Sequence, residues 1–269
     1  MELDGRSLPP RLARRSHEDV RKLQIVFQNP DSALNRAHTV RRLVGRALSR
    51  LSGLSGAKRE ERLRELTTSV RLQERYLGVR PSALSGGLKQ RVAIARAFAG
   101  DPRLVVCDEP TSALDVSVQA AILNLLADLQ REQRTSYLFI SHDLGVVRYL
   151  SDRIAVLYLG RLMEIGGAEA VFNGPHHPYT EALLSAIPSL DGIHERIKLS
   201  GDVPSAANPP SGCVFHTRCP RKLSSGICES EEPPLADVAP GRQMRCHIPL
   251  EELRALQAGA PEAEAQVAE

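Results

Sequence analysis

The chain has 269 residues, of which 25% are charged and 42% hydrophobic, a balance that suits a globular protein of one or two domains with a substantial core. Aromatic residues make up 4%, there is no tryptophan, and the formal charge is only +3. These values exclude a stacking surface for single-stranded nucleic acid and a strong electrostatic footprint for a polyanion. No stretch approaches the roughly 20 apolar residues of a membrane span, and an opening with Asp4, Arg6, Pro9 and Pro10 lacks a signal-peptide layout. A cytoplasmic chain that meets a membrane only through a partner is expected.

In chain order, Met1 to Leu8 alternates and then turns at Asp4-Gly5, as a strand entering a hairpin does. The charged run Arg11 to Lys22 leads into a strand around Leu23 to Phe27. Gln28 ends that strand with a polar amide. Asn29-Pro30 is turn chemistry, followed by a helix start at Asp31 to Leu34. Residues 39 to 82 read as helical segments interrupted by Gly45, Gly53, Gly56 and Gly78, with charged faces that on physical grounds alone are solvated surface. After Ser85-Gly86-Gly87, the run with Val92, Ile94, Ala95, Ala97 and Phe98 suits a buried helix. Leu104 to Cys107 is a short apolar run of the kind buried on both faces of a parallel sheet. Val118, Ile122, Leu125, Leu126 and Leu129 mark a core-facing helix, and Tyr137 to Ile140 a further buried strand. Asp152 to Leu159 and Arg161 to Ile165 form a hairpin about Gly160, and Ala168 to Phe172 a short helix.

The chemistry concentrates in LSGGLKQRVAIARAFAGDPRLVVCDEPTSALD, residues 84 to 115. Two adjacent carboxylates at the carboxyl end of a buried strand lie where open α/β sheets place their ligands. Phosphoryl transfer uses such a pair, Asp108 to hold Mg²⁺ and Glu109 to polarise an attacking water as general base. A helix start opened by two glycines, after Ser85, is a ready anion site. His142, at the end of the strand before Asp143, stands where an imidazole can contact a γ-phosphate.

LSGGLKQR followed by LVVCDEPTSALD resembles the signature motif, Walker B strand and D-loop of ABC-transporter ATPase subunits. IVFQNP, with Gln28, looks like the Q-loop, and LFISHDL, with His142, like the switch histidine. Leu88 stands where that family usually has Gln or Glu. The resemblance implies an α/β fold with a P-loop NTPase (ABC ATPase) core, a helical subdomain at about residues 31 to 98, and ATP and Mg²⁺ as ligands. Gln28, Ser85, Gly86, Gly87, Asp108 and Asp115 are implied at the nucleotide, Gln28 and Asp108 at Mg²⁺, and Glu109 and His142 in catalysis. It further implies head-to-tail pairing with a second ABC ATPase subunit, identical or different, on the cytoplasmic face of a membrane. Two transmembrane permease subunits and, indirectly, an extracytoplasmic solute-binding protein complete such a system. HPYTEALLSAIP, His177 to Pro188, looks like the segment after the core in oligopeptide and dipeptide importers. The implied organisation is an ATPase domain over 1–173, an importer-type extension over 174–250 and a disordered tail over 251–269.

One element of the resemblance is missing. The phosphate-cradling G-x-x-x-x-G-K-[ST] occurs nowhere in the 269 residues, and no Gly is followed by Lys. Two expectations follow: a peptide-importer ATPase incomplete at its N-terminus, or a non-hydrolysing partner that lends only its signature motif to another subunit's site. Four cysteines, Cys213, Cys219, Cys228 and Cys246, have five, eight and seventeen residues between them. Such a cluster in a cytosolic protein favours metal over disulfides. The tight pairs of zinc sites are absent, and a [4Fe-4S] cluster is equally open; resemblance to the cysteine-rich tail of peptide-importer ATPases implies the iron-sulfur cluster. Cys107 reads as an inert core residue. A metal-dependent regulator of nucleic acid would explain none of residues 84 to 143.

Overall fold

The computed structural model describes residues 2–187 and 196–258, in two compact units, Met1–His142 and Asp143–Glu269. The first opens with a hairpin of β1 (Glu2–Leu3) and β2 (Arg6–Ser7), turned by Asp4 and Gly5 at positive φ. Helix α1 (His17–Lys22) starts at a capping box between Ser16 and Asp19 and delivers the chain into β3 (Leu23–Val26). Asn29 caps the short α2 (Pro30–Ala33). Thr39 caps α3 (Val40–Ser52), which ends at Gly53 in the left-handed region, and α4 (Gly56–Ser69) follows. Then come α5 (Gly86–Phe98), β4 (Leu104–Asp108), α6 (Val116–Gln133) and β5 (Ser136–Ile140).

Gly45 does not interrupt α3. It lies buried inside the helix, where the side chains of Leu63 and Arg59 on α4 come within 3.6 to 3.9 Å of the place a Cβ would occupy. These are ordinary contact distances, so a Cβ would fit there without moving α4.

Strands β3, β4 and β5 form a parallel sheet in that order, with Ile25, Val106 and Leu138 aligned across one face and Val26, Cys107 and Phe139 across the other. The second face packs on α5 and α6 in one apolar cluster that includes Val26, Cys107, Ile94, Phe98, Leu125 and Leu129. The first face is open to solvent, with Leu138 54% and Ile140 46% exposed and Ile25 and Phe27 also exposed. This corrects the expectation that the strand at 104–107 is buried on both faces and that the strand at 137–140 is buried. They alternate instead, because among the described residues nothing covers the Ile25–Val106–Leu138 side. The apolar runs themselves are what a doubly covered parallel sheet requires.

The second unit contains α7 (Leu144–Leu150), whose N-terminal amides at Gly145 and Val146 donate to the Asp143 carboxylate, and the hairpin of β6 (Arg153–Tyr158) and β7 (Arg161–Gly167). Its turn has Leu159 and Gly160 at positive φ. There follow α8 (Ala168–Phe172), α9 (Pro178–Leu184), α10 (Ile227–Ser230), β8 (Ala236–Ala239), β9 (Arg242–Met244) and α11 (Leu250–Gln257). The sheet order is β6-β7-β9-β8, so the hairpin at 153–167 shares its sheet with strands beyond residue 235. Helix α11 corrects the expectation of a disordered tail from residue 251. Leu253 is fully buried, and Gln257 hydrogen-bonds the backbone of His176 in both directions. The rest of that tail, 259–269, and Pro188 at the end of the HPY segment lie outside the described residues.

Candidate active site

Three neighbouring strand ends of the first unit bring together Gln28, two residues past β3, Asp108 and Glu109 at the end of β4, and His142, two residues past β5. The parallel register sets this up. Asp108 lies opposite Ile140, and the Glu109 amide donates to the Ile140 carbonyl at 3.0 Å, so the acidic pair and the histidine leave the sheet at one level. Glu109 adopts φ +44°, an uncommon conformation for a residue with a side chain and one that collects at functional sites.

The Glu109 carboxylate is the centre of the group. Its Oε1 accepts from His142 Nδ1 at 2.9 Å, and its Oε2 accepts from Gln28 Nε2 at 3.0 Å. Gln28 Nε2 also lies 3.2 Å from Ser112 Oγ, and Ser112 in turn donates to the Glu109 carbonyl at 3.2 Å. The His142 hydrogen bond, with lesser contributions from the charge of His142 and from Ser112, holds the Glu109 carboxyl below the usual carboxylate range. It is therefore anionic at neutral pH, in the form that can accept a proton from water. Sequence reasoning missed Ser112, which sits three residues after Glu109 in the turn that follows the strand. That spacing was the available signal.

Because Gln28 uses its nitrogen toward Glu109 and Ser112, its oxygen is the atom that can face a cation. A carboxylate and an amide oxygen are hard donors of the kind Mg²⁺ takes, so Asp108 and Gln28 fit that ion by chemistry.

Ser85, the N-cap of α5, is exposed, as is Gly86, and Ser85 Oγ accepts from Leu88 N at 3.4 Å. That bond leaves the hydroxyl proton of Ser85 for an outside acceptor. Asp115 is the N-cap of α6 and makes no capping hydrogen bond with its side chain. Lys89, on the first turn of α5, bonds Asp31 at 2.8 Å, ties α5 to the segment after Gln28, and holds the Asp31 carboxyl below its ordinary range. Neither partner of that link stood out in the sequence. Leu88 packs its side chain against the core. An open hollow of about 470 Å³ beside α3 is lined by Arg41, Arg42, Arg46 and Arg59.

In the second unit, Cys213, Cys219 and Cys228 share one cluster with Tyr158, Tyr179 and Phe215, whose rings meet edge to face or tilted at 4.8 to 5.2 Å. Gly212, at φ +63°, comes so close to the next segment that a Cβ would lie 2.5 Å from the Cys228 carbonyl. This approach lets Cys213 N donate to that carbonyl at 2.9 Å. Cys246 senses the charge of the other three thiols, and burial pushes it up to about 12 and Cys219 up to about 11. The structure puts three of the cysteines in one apolar cluster and Cys246 in another, with Met244, Ile248 and Leu253. It does not draw them into a single-ion site, because among the described residues no three or more of His, Cys, Asp or Glu could hold one metal ion. Zinc, which keeps each sulfur at about 2.3 Å, does not fit. Cys107 is fully buried in the first unit's core, and burial alone pushes it up to about 12, which matches its reading as inert.

Residues 1–112 match the sequence family "ABC transporter", and residues 163–228 match "Oligopeptide/dipeptide transporter, C-terminal region". The oligopeptide transport ATP-binding protein AppF of Bacillus subtilis (strain 168) is 44% identical over 236 residues, which are 86% of this chain and 71% of that protein. The dipeptide transport ATP-binding protein DppF of Escherichia coli (strain K12) is 47% identical over 227 residues, 84% of this chain and 67% of that protein. Among such relatives the chain spans from 65% to 77% of their length. The solved structure of cbiO1 from Clostridium perfringens, part of the ABC transporter complex cbiONQ, superposes with a TM-score of 0.52 at 28% identity, covering 56% of this chain and 59% of that one. A carboxylate pair, amide and histidine lie at parallel strand ends, on an α/β fold shared with a component of an ABC transporter complex, and the chain is of the ABC class. Within that class, this chain belongs to the ATP-binding subunits of oligopeptide and dipeptide ABC transporters.

Proposed function

We propose that the chain energises the uptake of peptides through the cytoplasmic membrane by binding and hydrolysing ATP at a head-to-tail interface with a second ATPase subunit. The observation that carries this reading is the convergence of Gln28 and His142 on the anionic Glu109 carboxylate. In this reading Glu109 takes a proton from the attacking water, His142 and Gln28 orient its two oxygens, and Ser112 fixes the Gln28 amide. Asp108 and the Gln28 oxygen would hold Mg²⁺, which would supply neutralisation of phosphate charge. Ser85, Gly86, Gly87 and Asp115 face the nucleotide held by the partner subunit. No helix among the described residues is long and apolar enough to cross a membrane. We assign the contact with two permease subunits, on the cytoplasmic face, to the helical region at 31–98, where the arginine-lined hollow suits acidic segments.

A second reading is that these residues serve only the partner's nucleotide, through Ser85 and Gly86, which stand exposed at the start of α5. Calorimetry separates the two. Nucleotide binding by this chain alone supports the first, and binding by the partner alone, with hydrolysis that still requires Ser85 here, supports the second. For the ATPase reading itself, loss of ATP hydrolysis on Glu109→Gln in the assembled pair is the expected result; unchanged turnover would sink it.

For residues 174–250 we propose an importer-type extension whose Cys213, Cys219, Cys228 and Cys246 hold an iron-sulfur cluster. Cys213, Cys219 and Cys228 packed in one apolar cluster support this, since thiolates are the soft donors that iron-sulfur clusters take, although binding would have to displace their protons. Anaerobic purification, with iron assayed against zinc and with visible absorbance recorded, tests it. Zinc in place of iron, or neither, defeats it.

A further inference from the structure

The two glycines of the signature turn read from the sequence as space for an approaching phosphate. Their surroundings give Gly87 another reason to be glycine. Neither Gly86 nor Gly87 has a left-handed backbone, so conformational freedom is not what the position demands. A Cβ on Gly87 would lie 2.5 Å from Val118 Cγ1, deep inside contact distance. On Gly86 it would stand 3.2 Å from Leu114 Cδ2, the far end of a side chain that can swing away.

Val118 has no such freedom. It is the third residue of α6, and a β-branched side chain in a helix is confined to essentially one χ1 rotamer. It also packs against the apolar core of the unit, as Leu114 does. The first turn of α5 is equally fixed, with Ser85 capping Leu88 and Lys89 bonded to Asp31. A methyl group at Gly87 must therefore push two helix starts apart.

We propose that Val118 is a positioning residue for ATP hydrolysis: it keys into the notch left by Gly87 and locks the start of α5 to the start of α6. The lock presents Ser85 and Asp115, the N-caps of those two helices, to the partner's nucleotide as one rigid edge. This inference rests on the ATPase reading above. It gives Val118, which from the sequence is only one apolar residue in a helical stripe, a role in the reaction.

The test uses Gly87→Ala, Val118→Ala and the double variant in the full chain. Amide hydrogen exchange at residues 85–90 is followed without nucleotide, and kcat and KM for ATP are measured with the partner ATPase subunit. Gly87→Ala is expected to speed exchange at the turn roughly tenfold or more and to lower kcat by a similar factor, with KM changed less than about threefold. The double variant, with room restored, is expected to return to within about threefold of Val118→Ala in both readouts. A double variant as impaired as Gly87→Ala would show that the glycine serves the phosphate and would overturn the proposal. Unaltered exchange in Gly87→Ala would overturn it too. A wild-type pair that hydrolyses no ATP would count against the ATPase reading, and the exchange data would then decide the role of Val118 by themselves.

Discussion

The first unit gathers Glu109, His142, Gln28 and Ser112 at its strand ends, and the second gathers Glu164, His177 and Arg242 between β7 and β9, so each has a glutamate with a histidine and a nitrogen donor. Their surroundings differ completely. His142 and Gln28 are exposed and Glu109 is reachable by solvent. Glu164 is fully buried, Arg242 is 4% exposed, and His177 is 1% exposed. Glu164 accepts from Arg242 Nε at 3.0 Å, from Arg242 Nη2, and from the backbone of His177 at 3.0 Å, while Arg242 also donates to the carbonyls of Gly174 and Pro175. Similar groups thus do opposite work. In the open cluster each charge keeps a side facing outward and can act on something else, whereas in the closed one every charge is consumed in holding the loop at 174–177 to the sheet.

The sharpest way to break this contrast is to remove one glutamate from each cluster. Glu164→Ala strands the buried Arg242 and should cost about 3–5 kcal/mol in urea denaturation. Glu109→Gln should leave stability within about 0.5 kcal/mol and cut turnover of the assembled pair by roughly 10²–10⁴. If Glu164→Ala were tolerated, or if Glu109→Gln unfolded the chain, the division between a structural and a working cluster would fail.

Acid should separate the clusters next. Burial depresses His177 from the ordinary 6.5 to about 4; its Nδ1 accepts from Tyr179 N at 3.0 Å, which requires the neutral ring. In that window the unfolded chain binds a proton that the folded chain refuses, so stability is complete above pH 6.5. It falls by about 1.4 kcal/mol per pH unit as the pH drops toward the folded value. His176, also depressed by burial, adds to the slope in the same direction. Denaturation curves at several pH values should show this slope, and His177→Gln should flatten it.

A smaller effect sharpens the open cluster. His142→Ala removes the largest cause of the lowered Glu109 carboxyl. Glu109 is then protonated at a higher pH, and the acid limb of the turnover profile should move upward. A limb that stays in place would mean that His142 does not set the charge state of Glu109. The least change is expected from Lys89→Ala, which breaks a partly exposed ion pair with Asp31 worth about 0.2–1 kcal/mol. Thermal melting should register little, and a larger loss would make the Asp31 link a structural anchor like that of Glu164.

Much of the first unit was legible beforehand, for a local reason. The strand at 23–26 and the helix at 116–133, like the hairpin about Gly160 in the second unit, follow from apolar period and turn chemistry, which act over a few residues. The site residues Gln28, Asp108, Glu109 and His142 were found because strand ends can be located in a sequence, and parallel strands bring their carboxyl ends to one edge. Ser112, Lys89 and Val118 were not, since a serine in a turn, a lysine in a basic helix and a valine in an apolar stripe look ordinary until their partners are known.

By itself, then, the sequence determined the order of elements, the acidic strand end, the exposed glycine turn and the family to which they belong, because each is written in neighbouring residues. The tertiary structure decided which face of the sheet stands open, which glutamate is buried against Arg242, why a Cβ on Gly87 would collide with Val118, and that Cys213, Cys219 and Cys228 share one apolar cluster. Burial and contact distance arise between segments far apart in the chain, and no local pattern records them.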